Sequence, residues 1–273
     1  MKYAFPKVVY KSIAKDLSNK KSAVNPPHKY GIKNVGKKVV LDTSKLNVNK
    51  KNPNIIKIQN IRNSGKGKML VIVASGPSVL EVDFKPLYDN SLVDIMLINR
   101  PIVSGLKHKY WAFCDKSQYK MNREYFDQYK GTVINSNNVV QVSDKQIIIK
   151  SKSMTGFSMN LLDGYCIGYS SVYANIQTAL WMGYDKIFVF GMDMCLVDGK
   201  LYHSNDNHSS VKNRVKRFDR EANCYNDMIE KLSENKRKSI HFCSDYNKYG
   251  FIDSFSRISH KSAIDSILSL CKT

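Results

Sequence analysis

The 273-residue sequence lacks several features that would place it in a familiar class. It has no run of about 20 apolar residues, so it contains no candidate membrane span. Apolar residues near the N-terminus are too sparse for the core of a secretory signal peptide. The six cysteines include no CxxC pair, which argues against a zinc site and a disulfide framework. We therefore expect a cytoplasmic protein with reduced thiols, in the host cytoplasm if it is viral.

Acidic residues are nearly absent from the first quarter of the chain. Residues 1–68 carry 17 lysines and arginines but only two acids, which gives a net charge of +15. Residues 69–273 carry 26 basic and 21 acidic side chains, a net charge of +5. A basic segment on a near-neutral domain indicates a polyanionic partner, such as nucleic acid, an anionic membrane surface or an acidic polysaccharide. The alternative is a solvated, lysine-rich leader.

These charges and the hydropathy pattern divide the chain into a basic segment, 1–68, and a main domain, 69–273. In the main domain, strand-like runs alternate with helical patterns, which predicts a Rossmann-like α/β fold: a mostly parallel sheet with helices on both faces. The predicted strands are 69–74, 94–98, 110–114, 132–135, 146–149, 186–190 and 240–243.

Two helices are predicted in the main domain. One extends from Ser170 to Met182, with Ser170 or Ser171 as its cap, and the other covers residues 218–234. In the basic segment, residues 39–41 and 55–58 are predicted as short strands, and residues 63–68 as a flexible hinge.

The most informative stretch is Met69–Leu80, an apolar run that ends abruptly in Ser-Gly-Pro-Ser. The run predicts a buried parallel strand, and ligands of open α/β sheets bind at the carboxyl ends of such strands. Gly76 would let the backbone approach a phosphate, to which the hydroxyls of Ser75 and Ser78 would donate. Pro77 suits the first turn of a helix or 3₁₀ helix. The alternative is an ordinary turn between a strand and a helix.

Other predicted strands also end in polar residues. Asn99 follows the second strand, Asp115 follows the third, and Asp193 follows the strand at 186–190. Because the carboxyl ends of parallel strands share one edge of the sheet, these residues predict a nucleotide-type pocket in which Asp193 accepts from ribose hydroxyls.

The Gly-Pro-Ser turn, Asn99, and the helix that opens with Ser170-Ser171 and leads to Gly191-Met192-Asp193 resemble the bacterial sialyltransferases of glycosyltransferase family 42. They also resemble the related domain-of-unknown-function 115 proteins. The likeness spans residues 69–245. It implies a metal-independent transferase, without a bound cofactor, that uses a nucleotide-sugar as its donor. The donor-binding residues expected from the strand ends and from this resemblance are Ser75, Gly76, Pro77, Ser78, Asn99, Ser170, Ser171, Asp193 and Tyr202.

The sequence departs from the family pattern at two positions. Cys195 stands where the family has a tyrosine, and Asp115 stands where it has an asparagine. A sugar other than sialic acid, or a different nucleotide, is therefore expected.

The family uses a histidine as general base, at a position nearer to Arg220-Glu221 of this sequence. The loop after the strand at 186–190 offers His203 and His208 beside Asp206, and we expect one of them to remove the acceptor proton. Asp115 is the next candidate. Two alternatives stay open for the loop that follows the strand at 186–190: a metal site formed by His203, Asp206 and His208, or a plain polar loop.

A second basic run follows this loop and is expected to bind the acceptor or the phosphates of the donor. Its members are Lys212, Arg214, Lys216, Arg217 and Arg220. The alternative is a solvated helix face.

The expected function is transfer of a sugar from a nucleotide-sugar to a hydroxyl. The preferred acceptor is a hydroxymethylated base in DNA, because of the charge of residues 1–68, and the base would have to be flipped or exposed. A phage enzyme that modifies DNA fits the Lys- and Asn-rich composition. The alternatives are a glycosyltransferase for lipid-linked or cell-surface glycans, a pterin-type diphosphokinase that uses Mg²⁺ and ATP, and a non-catalytic nucleic-acid-binding protein.

Overall fold

In a computed structural model, residues 53–100, 105–136, 145–203 and 211–272 are described, except for the side chains of residues 211 and 212. Their strands are β1 (Met69–Val73), β2 (Val93–Ile98), β3 (Tyr110–Phe113), β4 (Thr132–Ser136), β5 (Gln146–Ile149), β6 (Ser151–Ser153), β7 (Tyr165–Cys166), β8 (Lys186–Phe190), β9 (Ile240–Cys243) and β10 (Ser256–Ile258). Their helices are α1 (Pro53–Asn60), α2 (Lys116–Met121), α3 (Arg123–Gln128), α4 (Ser171–Trp181), α5 (Val211–Lys231), α6 (Glu234–Lys238) and α7 (His260–Leu270).

Eight of these strands form one parallel sheet in the order β10-β9-β8-β1-β2-β3-β4-β5. From β1 the chain adds β2 to β5 on one side, then returns to place β8 on the other side of β1. Val71 at the centre of β1 is in register with Ile95 of β2 and with Phe188 of β8. The direction of strand addition reverses between β1 and β8, and open α/β sheets bind ligands at such a switch point. The predicted Rossmann-like α/β fold is confirmed.

The sheet is covered on both faces, which explains why its central strands are apolar without alternation. Leu70 and Ile72 of β1 belong to a core shared with α1, α4 and α5. Val71 and Val73 point to the opposite core, which includes side chains of α3 and α7. All five residues of β1 are buried, as a central strand between two helical layers requires.

Helix α4 is the central helix of the first layer. Ser170 is its N-cap, and the Ser170 hydroxyl accepts a hydrogen bond from the backbone N–H of Val172. Gly183 follows the helix with φ +73°, the left-handed conformation typical of a helix stop. Ten of the eleven residues of α4 are buried, so this helix is enclosed rather than amphipathic. Its buried Gln177 is bonded internally, because the side-chain oxygen accepts from the backbone N–H groups of Ser158 and Cys166.

Residues 55–58 were predicted as a strand, and that prediction is wrong, because they lie in helix α1. A short apolar run does not distinguish the two structures, and Pro53 at the first helical position favours the helix. The Trp181 indole donates to the Ile58 carbonyl, and Asn54 bonds the backbone of Ile148 at the edge of the sheet. Part of the predicted basic segment therefore packs on the sheet domain. Residues 39–41 lie outside the described residues.

Residues 63–68, predicted as a hinge, form a hydrogen-bonded turn against the end of α4. The backbone N–H of Gly65 donates to the Met182 carbonyl, and a Cβ at Gly65 would lie 2.7 Å from the Tyr184 ring. Helix α5 begins seven residues before the predicted 218, so the second basic run lies on a helix. Among the described residues, no helix combines the length and the apolar composition that a membrane crossing requires.

Candidate functional site

A cleft that is partly open to solvent lies at the carboxyl edge of the sheet around the β1/β8 switch point. It is formed by the turns after β1, β2, β3 and β8, the N-terminus of α4, and one face of α5. The polar and charged side chains that line it belong to Ser75, Asn99, Arg100, Asp115, Gln118, Tyr169, Ser170, Ser171, Asp193, Cys195, Tyr202, Arg214, Arg217 and Glu221.

The turn after β1 lies directly against the turn after β8. The backbone N–H of Gly76 donates to the Gly191 carbonyl at 2.9 Å. A Cβ at Gly76 would lie 2.3 Å from that carbonyl oxygen and 2.4 Å from Asp193 Oδ2. Gly76 has φ −66°, which any residue adopts, so glycine is required here by this close approach rather than by its backbone angles. The predicted reason, approach to a phosphate, is therefore not needed to explain the glycine.

Asp193 joins three strand ends. Its Oδ2 accepts from the backbone N–H of Ser78 at 3.1 Å, and its Oδ1 accepts from the Ser78 hydroxyl at 2.6 Å and the Ser244 hydroxyl at 3.1 Å. The side chain is 2% exposed. The carboxylate was predicted to bind ribose hydroxyls, but these hydrogen bonds to the turns after β1 and β9 engage both of its oxygens. We infer that Asp193 holds the wall of the cleft in place.

Strained backbone concentrates at the cleft. Of the five non-glycine residues with positive φ in the described ranges, three line the cleft: Asn99 (64°), Tyr169 (58°) and Met194 (50°). Such conformations are costly for residues that carry a Cβ and cluster at functional sites. This distribution supports the cleft as the functional site independently of its charges.

Arg100 and Tyr202 form a pair across the cleft. The Arg100 guanidinium lies 4.1 Å from the centroid of the Tyr202 ring, which is cation–π geometry. Arg100 is only 5% exposed although it carries a permanent charge. The guanidinium places a permanent positive charge at this strand end.

Two further arginines approach from α5, one turn apart on the face that meets the N-terminus of α4. An Arg214 Nη lies 3.3 Å from Glu221 Oε2, and the buried Nε of Arg214 has no hydrogen-bond partner. An Arg217 Nη donates to the Tyr169 carbonyl at 2.8 Å. Together with the positive end of the α4 helix dipole, these guanidinium groups make one side of the cleft suited to an anion.

Glu221 is the buried carboxylate of this side, with 2% exposure. Burial raises the pKa of its carboxyl. The positive charges of Arg214 and Arg217 and a hydrogen bond from Ser170 lower that pKa and oppose the effect of burial. Glu221 therefore links α5 to the cap of α4 and orients Arg214. Burial also raises the pKa of the Cys195 thiol at the opposite wall.

The opposite side carries acceptor groups. Asp115 is exposed at the start of α2, and its side chain makes no capping hydrogen bond. The side-chain oxygens of Asn99 and Gln118 are buried and have no hydrogen-bond partner. The cleft thus has two arginines on α5 beside the N-terminus of α4, and carbonyl and carboxylate oxygens after β2 and β3, where the Arg100 guanidinium also lies.

Most of the predicted site residues meet in this cleft. Those that line it are Ser75, Gly76, Asn99, Asp115, Ser170, Ser171, Asp193, Tyr202, Arg214 and Arg217. Those with described side chains outside its lining are Pro77, Ser78, His203, Lys216 and Arg220.

The two predicted phosphate-donating hydroxyls are engaged within the protein. The Ser75 hydroxyl donates to the Ile98 carbonyl at 3.1 Å, and Ser78 is fully buried against Asp193. Pro77 begins the 3₁₀ helix Pro77–Glu81, as its fixed φ favours. These three residues shape the turn after β1, and their predicted contacts with phosphate have no support in this geometry.

The histidine candidates are placed less favourably. The backbone N–H of His203 donates to the Ser75 carbonyl at 3.0 Å, and the side chain does not line the cleft. His208 and Asp206 lie outside the described residues, as does the side chain of Lys212. In the part of the chain that the structure describes, no group of three His, Cys, Asp or Glu side chains is placed to hold a metal ion.

Arg100, Gln118, Tyr169 and Glu221 were not among the predicted site residues. Arg100 directly follows Asn99, so it could have been included as part of the same strand end. Glu221 lies seven residues after Arg214, on one face of a helix, but this relation requires the earlier start of α5. No sequence signal pointed to Gln118, because helix α2 was not predicted.

No family model, curated protein or solved structure matches this chain.

Proposed function

We propose that this chain is a glycosyltransferase that binds a nucleotide-sugar in the cleft and transfers the sugar to a hydroxyl. The observation that carries the proposal is the pairing of a cationic side, for phosphates, with a carboxylate on the opposite side, at the switch point of a parallel sheet. A nucleotide-sugar needs both, since its phosphates leave with negative charge and its acceptor loses a proton.

The phosphates are assigned to the side formed by α4 and α5. The buried Nε of Arg214 is a donor without a partner, and a phosphate oxygen would satisfy it. The Arg217 guanidinium and the N-terminus of α4, which both line the cleft, add positive charge on this side. Glu221 orients Arg214 through the contact at 3.3 Å.

The reaction is a displacement at the anomeric carbon. The acceptor oxygen forms a bond to that carbon while the bond from carbon to the phosphate oxygen breaks. The electron pair leaves with the nucleotide, whose growing charge the arginines stabilise. The acceptor proton passes to a carboxylate of the cleft.

We assign the role of general base to Asp115. It is exposed at the cleft, where an acceptor can reach it, and it makes no capping bond. His203 is the weaker candidate because its side chain lies outside the lining.

The acceptor that we propose is DNA with a hydroxymethylated base. This part rests on the charge of residues 1–68, where +15 of the total +20 is found. Lysine-rich segments bind the phosphate backbone of nucleic acid without regard to sequence, and could hold the DNA while an exposed base enters the cleft.

The test is a transfer assay. The full chain is incubated with UDP-, GDP-, ADP- or CMP-linked sugars and with DNA that contains hydroxymethylated pyrimidines, and digested nucleosides are analysed by mass spectrometry. One donor should give a glycosylated nucleoside. Asp115→Asn should lower kcat by about 10²–10⁴ with donor affinity unchanged.

The outcomes separate the parts of the proposal. If His203→Ala, rather than Asp115→Asn, causes the loss of kcat, the base is the histidine. If a donor is consumed with a glycan or lipid-linked hydroxyl but not with DNA, the acceptor assignment is wrong. If no donor binds or reacts, the proposal fails.

A further inference from the structure

Gln118 is a buried polar side chain in the cleft without a bonding partner. It lies on α2, is 9% exposed, and lines the cleft beside Asp115. Its Oε1 is fully buried and accepts no hydrogen bond. Its side-chain amide donates to none of the described residues.

An unsatisfied buried oxygen is costly, because it has lost its water without gaining a partner. Such a group in a native protein needs a physical explanation, and a ligand that donates to it from the cleft would provide one. Asn99, on the neighbouring strand end, has a second buried oxygen in the same condition. Two residues that line the cleft therefore carry buried carbonyl oxygens that nothing in the described residues satisfies.

The chemistry of these oxygens selects the part of a ligand that they meet. A carbonyl oxygen accepts from O–H or N–H groups and repels phosphate oxygens, which at neutral pH are acceptors. The phosphates are assigned to the opposite side, near Arg214 and Arg217. Gln118 lies one turn after Asp115, the carboxylate assigned to the reacting hydroxyl, and both line the cleft. The group next to Gln118 is therefore the sugar, which is rich in hydroxyls.

We propose that Gln118 accepts a hydrogen bond from a hydroxyl of the transferred sugar and determines which sugar the cleft accepts. This inference rests on the proposed function. A site with a buried acceptor rejects analogues that lack the hydroxyl, because the acceptor is then left unpaired. Gln118 would thus select against deoxy-sugars more strongly than a hydrophobic wall could.

The test compares Gln118→Met with the wild type in calorimetric titrations of the full chain. The ligands are UDP-, GDP-, ADP- and CMP-linked sugars and the four free nucleotides. Methionine keeps the volume and removes the polar atoms. The matched control is Gln128→Met, an exposed glutamine on α3 outside the lining of the cleft.

We expect Gln118→Met to bind the nucleotide-sugar about 10-fold more weakly and the free nucleotide as tightly as the wild type. The wild type should bind a nucleotide-sugar that lacks the contacted hydroxyl more weakly than the complete nucleotide-sugar. Gln118→Met should bind that deoxy-donor as tightly as the wild type does. The midpoint of thermal unfolding should not fall, since the variant removes an unsatisfied oxygen. Gln128→Met should match the wild type throughout.

Three results would overturn the inference. Equal affinity of variant and wild type for the nucleotide-sugar would show that Gln118 makes no contact with it. An equal loss for the free nucleotide would place the contact on the nucleoside. If no nucleotide-sugar binds the wild type, the proposed function fails and this inference fails with it, whereas the first two results leave the proposed function intact.

Discussion

Replacement of Gly76 by alanine is the sharpest test of the geometry at the switch point. The new Cβ would lie 2.3 Å from the Gly191 carbonyl oxygen and 2.4 Å from Asp193 Oδ2. Neither atom is the free end of a flexible side chain that could move away from the new Cβ. One belongs to the backbone, and the other is held by the hydrogen bond from Ser78.

The expected loss of stability follows from these close approaches. Overpacking of a filled interior costs typically 1–3 kcal/mol. Here the adjustment also disturbs the hydrogen bonds of Asp193, so we expect a loss near the upper end, about 3 kcal/mol. For a domain of this size that loss lowers Tm by about 6–12 °C.

The assay is thermal unfolding followed by circular dichroism, with Gly250→Ala as the control. Gly250 has no atom within 4 Å of an added Cβ and no positive φ, so its substitution should shift stability by no more than about 1 kcal/mol. If both variants unfold at the wild-type temperature, the turns after β1 and β8 do not touch in the way described.

Three further predictions concern charge. Asp193→Asn replaces one of the two accepting oxygens by an NH₂ group, which cannot accept a hydrogen bond, and makes the bonds to the remaining oxygen neutral; it should lower stability by about 3 kcal/mol, measured by urea unfolding, whereas exposed Asp198→Asn should not. Burial of His241 beside Phe188 lowers its pKa from 6.5 to about 4, so protonation favours the unfolded state; wild-type stability should fall between pH 6.5 and 4, and His241→Phe should remove part of that fall. Neutralising the three lysine pairs of the basic segment with glutamine should weaken DNA binding and flatten the slope of log K against log salt by about 0.9 for each DNA phosphate that the protein ceases to neutralise. Those lysines are Lys20, Lys21, Lys37, Lys38, Lys50 and Lys51.

Each of these predictions has an outcome that contradicts it. Asp193→Asn as stable as Asp198→Asn would mean that the carboxylate does not hold the turns. Parallel pH profiles for His241→Phe and the wild type would remove His241 as a cause of acid destabilisation. The lysine substitutions are compared with a control that neutralises six exposed lysines of the sheet domain, and an equal effect would mean that the basic segment has no special role. The control lysines are Lys85, Lys120, Lys231, Lys236, Lys261 and Lys272.

The sheet was predictable from the sequence because its signals are local. The run at 69–74 is apolar without alternation, which a strand buried on both faces requires. Ser170 and Gly183 mark the two ends of α4 by their own backbone chemistry. The prediction of a strand at 55–58 was wrong because three isoleucines in four residues fit a strand and a helix equally well.

From the sequence, the site could be predicted only at the residues that directly follow the strands. Gly76 was expected to let the backbone approach a phosphate, whereas the close approach that the structure shows is to the turn after β8, more than 100 residues away in the chain. The same distance separates Asp193 from Ser78, so a carboxylate that holds the cleft together could not be distinguished from one that binds ribose. Glu221 and Gln118 enter the site through helix faces that only the folded chain brings together.

The central claim, that this cleft holds a nucleotide-sugar, is tested most directly by a thermal-shift screen with UDP-, GDP-, ADP- and CMP-linked sugars. A donor at 100 times its Kd should stabilise the wild type by about 2.7 kcal/mol. Arg220→Gln should be stabilised equally, whereas Arg217→Gln should be stabilised less, because both arginines are exposed on α5 but only Arg217 lines the cleft. No shift with any donor, or the same shift in the two variants, would contradict the account.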